Sequence, residues 1–166
     1  MVTERRYDTV HATSPAQMRA LSHPARHKLL RAMTSDGATI SQLSNRLGMN
    51  KGSVSHHLAV LCEAGLAHKG RTQTVRGGTE QYFVPTAHNV KFPPGDDGAA
   101  THAMLATIAD ELGTDDDHLL NHRVVCLSRD QAKALREHLE TVVDSVRPAS
   151  PDERQYGILV GLYQRR

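Results

Sequence analysis

The chain has 166 residues, 39% hydrophobic and 23% charged, which allows one or two small domains with a closed core. No stretch approaches the ~20 apolar residues of a membrane span, and Met1 to Val10 is charged and polar rather than laid out as a secretory signal, so a cytoplasmic chain with no membrane partner is expected. The formal net charge of +2 hides a basic front, with 12 Lys/Arg against 5 Asp/Glu over residues 1–91, and an acidic back, with 8 against 13 over residues 92–166. Scattered surface charge does not explain that division, whereas a front half that docks on phosphate does.

After an N-terminal arm, residues 1–14, Ser22-His23-Pro24 marks a helix start, because proline at the first helical position lacks only an N–H that would be unpaired anyway. Leu21, Ala25, Leu29 and Met33 recur every four residues, and the helix is predicted to run to about Thr34, with Asp36-Gly37 ending it. His27 is expected on its solvated face. Thr39-Ile40-Ser41-Gln42 has capping-box spacing and opens a short helix to Leu47. Gly48-Met49-Asn50 is a tight turn, with Asn50 able to cap the next helix. Within that helix Val54, Leu58 and Leu61 form the packing side, which leaves Lys51, Ser53, Ser55, His56 and, toward one edge, His57 on the presented side. Gly65 stops the helix, and Leu66 to Thr72 and Thr79 to Val84 read as strands around Arg76-Gly77-Gly78. Arg71 and Arg76 then sit where a hairpin would meet a nucleic-acid backbone or minor groove. A helix-turn-helix followed by such a hairpin is a unit that fits duplex DNA.

The strings Ala20-Leu21-Ser22-His23-Pro24-Ala25-Arg26, Ser41-Gln42-Leu43, Ser53-Val54-Ser55-His56-His57-Leu58, Glu63-Ala64-Gly65-Leu66 and the Arg-Gly-Gly turn resemble the bacterial ArsR-type winged-helix transcription regulators over residues 15–86. The resemblance implies a homodimer on a pseudo-palindromic operator, with Ser53 to His57 in the major groove, the hairpin at its flank, and in many members an effector that changes operator affinity. The chain departs from the metal-thiolate members, since Ile40 to Leu47 holds no Cys-x-Cys. It departs also from the members with Asp-x-His and a distant histidine: Asp116 and His118 have the first spacing, but Arg129 stands where the distant ligand would be.

One other metal constellation exists on paper. His118, His122 and Cys126 recur every four residues beside Asp115, Asp116 and Asp117, and a continuous helix would align them as ligands. Against it, Val124-Val125-Cys126-Leu127 is β-branched and reads as strand, leaving two solvated histidines and a packed Cys126. No metal and no cofactor is therefore expected. Cys62 reads as a small packed residue, and neither cysteine has the CxxC partner of a redox or four-cysteine zinc motif.

Residues 87–121 read as a linker, Phe92 to Gly98, followed by a helix from Ala99 to Leu112. Met104, Leu105, Ile108 and Leu112 suit pairing with a twin helix, the alternative being an intrachain helix that covers the winged domain. Residues 122–166 read as a strand-helix-strand unit: His122 to Leu127, a capped helix from Ser128 with Leu135, Leu139, Val142 and Val143 on one face, and a strand alternating from Tyr156 to Tyr163. The expected class is α+β, mainly helical at the front. No glycine-rich phosphate loop, nucleophile elbow or metalloprotease helix suggests an enzyme. The function expected is a dimeric, sequence-specific DNA-binding regulator, a repressor rather than an activator because operator occupancy alone can block polymerase. The alternatives are a ligand- or metal-responsive switch of the same type, with a small-molecule effector, and a winged-helix protein-interaction module.

Overall fold

The computed structural model describes residues 9–87, 89–92, 98–112, 117–147, 149 and 153–164. The chain divides into two units, Met1–His118 and Leu119–Arg166. In the first, the elements run β1 (Thr9–His11), α1 (Pro15–Leu21), α2 (Pro24–Ala32), β2 (Ala38–Thr39), α3 (Ile40–Leu47), α4 (Lys51–Glu63), β3 (Ala67–Val75), β4 (Gly78–Pro85), β5 (Asn89–Lys91) and α5 (Ala99–Leu112).

Most helix boundaries follow from side-chain caps. Thr39 Oγ1 accepts from the Gln42 amide at 3.3 Å while Gln42 Oε1 accepts from the Thr39 amide at 3.0 Å, the expected reciprocal box. Gly48 closes α3 in the left-handed region, at φ 63°, and Asn50 Oδ1 starts α4 by accepting from the Ser53 amide at 2.7 Å. At the far end of α4 Gly65 turns left-handed at φ 70°, and the Leu66 amide donates back to the Leu61 carbonyl at 2.9 Å. Upstream, α2 starts at Pro24 as expected, and a further helix that was not expected, α1, precedes it. His23 breaks the run by accepting from the Ala25 amide through Nδ1 at 3.1 Å, and α1 has its own box between Ser14 and Gln17. The second helix ends at Ala32, two residues before the expected Thr34.

The core lies between α1, α2, α3 and α4, where Leu21, Leu29, Leu43, Val54, Leu58 and Leu61 are fully buried. Burial of a leucine or valine side chain contributes about 1.5–3 kcal/mol, so this cluster sets the relative placement of the helices. A three-stranded sheet, in the order β2-β4-β3, closes one side. Its hairpin is longer than expected, pairing Val75 with Gly78 around Arg76 and Gly77. On the other edge of β4, Thr39 pairs with Tyr82. Thr39 is thus both the last residue of a strand and the cap of α3, which ties the helix-turn-helix to the hairpin. A separate parallel pair joins β1 to β5, with Val10 opposite Val90.

The helix α5 has the expected bounds and packs against α1 and α2 through Ala100, Ala103 and Thr107. Lys28 Nζ meets Asp110 at 2.9 Å and Arg31 meets Glu111, so the last turn is also held to α2. Both pairs are well exposed and each contributes at most about 1 kcal/mol.

In the second unit α6 (Arg129–Ser145) is capped as expected: Ser128 Oγ accepts from the Gln131 amide at 3.2 Å. The two strands expected on either side of it do not form. Residues 121–128 and 154–164 belong to no ladder, although His122 Nε2 and Tyr163 Oη are 2.8 Å apart. Alternation reports a side chain's preference for two faces, but a strand exists only when its amides find a partner chain segment.

Candidate nucleic-acid interface

The packing side of α4 is the expected one, with Val54, Leu58 and Leu61 each at 0% exposure. Opposite them Lys51, Ser55 and His56 are exposed, and Ser53 is half-buried in the first turn. Lys51 and Ser53 lie where the N-terminal end of the helix dipole favours an anion. His57 departs from expectation. Its ring is buried, 4.7 Å from that of His23 and 5.5 Å from that of His56 between centroids, with Nδ1 unpaired among the described residues. Adjacent helical positions point about 100° apart, and the turn that exposes His56 rotates His57 toward α2. Burial, followed by the charges of His23, Arg26 and His56, lowers its pKa below the ordinary histidine value. A ring held in this way does not present its edges to a groove.

The hairpin supplies the second part of the surface. Residues 71–79 are exposed throughout, and Arg76 and Gly77 form the two-residue connection, with Gly77 at φ 108°. Gly78, at φ 153°, begins the return strand, so the glycine pair is required by the turn. Arg71 lies with its guanidinium carbon 4.1 Å from the centre of the Tyr82 ring. That contact orients the arginine without neutralising it.

Strand alternation alone does not show how the hairpin is shaped. Pairing between β3 and β4 skips a step between Lys69 and Thr72, and Gln81 Nε2 fills the irregularity by donating to the carbonyls of Gly70 at 2.8 Å and Arg71 at 3.2 Å. Gly70 is needed there, since a β-carbon would stand 2.8 Å from Val84 Cγ2. Farther out, Tyr82 Oη donates to Gln73 Oε1 at 2.8 Å and braces the hairpin across its face. An isolated glycine inside a strand pattern was the available sign of a bulge.

The remaining candidates separate. His27 is buried rather than solvated, with Nε2 2.6 Å from the Leu21 carbonyl oxygen, and burial is the main cause of its lowered pKa. Cys62 is half-buried against the core, where burial raises its thiol pKa. Cys126 is exposed rather than packed. His118, His122 and Cys126 share no helix, because residues 117–127 are not helical, and no group of three or more metal-binding side chains exists among the described residues. Asp115 and Asp116 lie outside the described residues.

A capped helix-turn-helix, its second helix presenting polar and basic groups, and a braced basic hairpin define a winged helix-turn-helix DNA-binding domain. Residues 23–69 match the family described as bacterial regulatory protein, arsR family. Residues 23–69 are therefore similar to an ArsR-type helix-turn-helix domain, and that similarity supports a DNA-binding transcription regulator. The match takes in α2, α3, α4 and the start of β3; the rest of the hairpin, α5 and the second unit lie beyond it. No curated protein matches the chain. No helix among the described residues is long and apolar enough to cross a membrane.

Proposed function

We propose that the protein is a homodimeric repressor that binds a pseudo-palindromic operator. In this reading α4 enters the major groove, with Lys51 and Ser53 on phosphate and Ser55 and His56 toward base edges. Arg71, Arg76, Gly77 and Gly78 approach the flanking backbone or minor groove. The observation that carries the reading is the two-sided character of α4: Val54, Leu58 and Leu61 are sealed into the core while Lys51, Ser55 and His56 face outward beside the exposed hairpin.

Dimerisation is assigned to α5. Its small residues Ala100 and Ala103 are used up within the chain, but Leu105 is 42% exposed and Met104, Ile108 and Leu112 are only half-buried. These four are available to a second copy, whose two-fold relation would space two α4 helices along one face of a duplex. A repressor located in the cytoplasm follows from the same reading, since occupancy of an operator is enough to exclude polymerase.

Selection of bound duplexes from a random or genomic pool at near-physiological salt tests this. Enrichment of an inverted repeat, with affinity that falls steeply as salt rises, is the expected result. Absence of preference for any duplex would sink the operator reading.

A further inference from the structure

The unit Leu119–Arg166 has no interior of its own. Among its described residues none is buried, and large apolar side chains stand open, Tyr156 at 72% and Ile158 at 57% exposure. The helix α6 carries a stripe with Leu135, Leu139, Val142 and Val143, yet buries none of it. A unit of this size needs a staple or an associate to hold its shape. Its one cysteine, Cys126, is a free thiol.

The charges on α6 identify the associate. Basic groups occupy its first half, at Arg129, Lys133 and Arg136, and acidic groups its second, at Glu137, Glu140 and Asp144. At about 100° per residue, Arg129, Lys133, Arg136, Glu140 and Asp144 fall within one sector of about 80°, directly beside the apolar stripe. Asp130 is the exception in the basic half, and it occupies the first turn, where the helix dipole favours it. When two such helices pack antiparallel through their stripes, each charged flank meets its own copy. One register then sets Arg129 against Asp144 of the second copy and Lys133 against Glu140. A parallel pairing would instead set the charged flank against the opposite flank, which carries Gln131, His138, Thr141 and Ser145 and offers no such matching charges. The helix is therefore complementary to itself in one orientation, the property of an isologous two-fold interface.

We propose that residues 119–166 form a second homotypic association module, in which α6 of one chain packs antiparallel against α6 of another. It uses a different helix from the α5 pairing and does not depend on that pairing.

Full-length protein tests it by sedimentation equilibrium, with Lys133→Glu and Glu140→Lys measured singly and as an equimolar mixture. Each reversal alone makes both symmetry-related Lys133–Glu140 contacts repulsive and should raise the dissociation constant about tenfold. In the mixed pair every contact is again between opposite charges, so wild-type affinity should return, which also shows that both variants are folded. Unchanged affinity of the single variants, or a mixture as weak as either of them, overturns the proposal. Leu105→Glu separates it from the α5 reading: if only α5 pairs, that change alone yields monomers and the charge reversals do nothing. If only α6 pairs, the reverse pattern appears. A wild-type chain that is monomeric at every concentration also refutes it, and leaves the face to a different protein.

Discussion

The imidazole of His23 stands against that of His57, centroids 4.7 Å apart and planes tilted by 51°. His23 is the cap of α2, accepting from the Ala25 amide through Nδ1, and His57 lies on the inner side of α4. The contact therefore joins the start of one core helix to the middle of α4.

Stability should fall on mild acidification. Burial and the charges of His23, Arg26 and His56 lower the pKa of His57, and burial first of all lowers that of His27. In the folded chain both rings hold a proton less readily than in the unfolded chain, where they take one up at the ordinary value near 6.5. The stabilisation is then complete above about pH 6.5 and is lost as pH falls below it. Thermal melts between pH 7.5 and 5.5 should show a midpoint falling by a few degrees, with a shallower fall in His57→Leu. A flat profile would contradict the placement of both rings.

Replacing Arg76 by alanine should weaken binding to all duplexes by a similar factor and lower the salt slope by about one. His56→Ala or Ser55→Ala should instead change which base pairs are preferred, by about 1–3 kcal/mol at the affected position. Fluorescence anisotropy with a panel of single-base operator variants distinguishes the two patterns.

Gly70→Ala should distort the hairpin, because its β-carbon meets Val84 Cγ2 at 2.8 Å. Overpacking of this kind costs about 1–3 kcal/mol. The double change with Val84→Ala should recover a good part of the loss in a urea titration. Lack of recovery would mean that the bulge requires glycine for its backbone conformation instead.

Thr39→Ala removes a helix cap at a residue that also pairs with Tyr82 of β4. Loss of the cap alone should cost about 1 kcal/mol. Because the backbone pairing survives the substitution, amide exchange should quicken in the first turn of α3 and remain unchanged at Tyr82.

Leu105→Glu or Ile108→Glu should leave the winged domain folded, since neither side chain belongs to its core. Operator affinity should drop by an order of magnitude or more if α5 carries the dimer. Near-UV circular dichroism and anisotropy, measured on the same samples, separate unfolding from loss of pairing.

Residues 38–85 were the readable part of the chain because their signals are local. A Thr-x-x-Gln box, glycine after Leu47, asparagine before Lys51 and apolar residues at spacings of four and three each act within a few positions. The box at Ser14-Pro15-Ala16-Gln17 was just as local, yet α1 was missed. The short length of the helix left no apolar period to find. Long-range placements were harder. The polar residue type of His27 points to solvent, and only the position of the Leu21 carbonyl, in another helix, shows why burial is tolerated. The pair formed by β1 and β5 spans most of the domain and neither strand reaches four residues, so no periodicity announces it. The strands expected beside α6 failed for the opposite reason. Their alternation is clear, but no ladder among the described residues takes them up.

The pair formed by β1 and β5 also makes the domain a closed circuit. Thr9–His11 and Asn89–Lys91 clasp the stretch from α1 to the hairpin at both of its ends, and the Ala12 amide extends the clasp by donating to the Lys91 carbonyl at 2.9 Å. Chain that leaves this clasp goes on to α5. A change within Thr9–His11 therefore acts on the segment that follows the hairpin, at the opposite end of the winged domain from the one at which it is made.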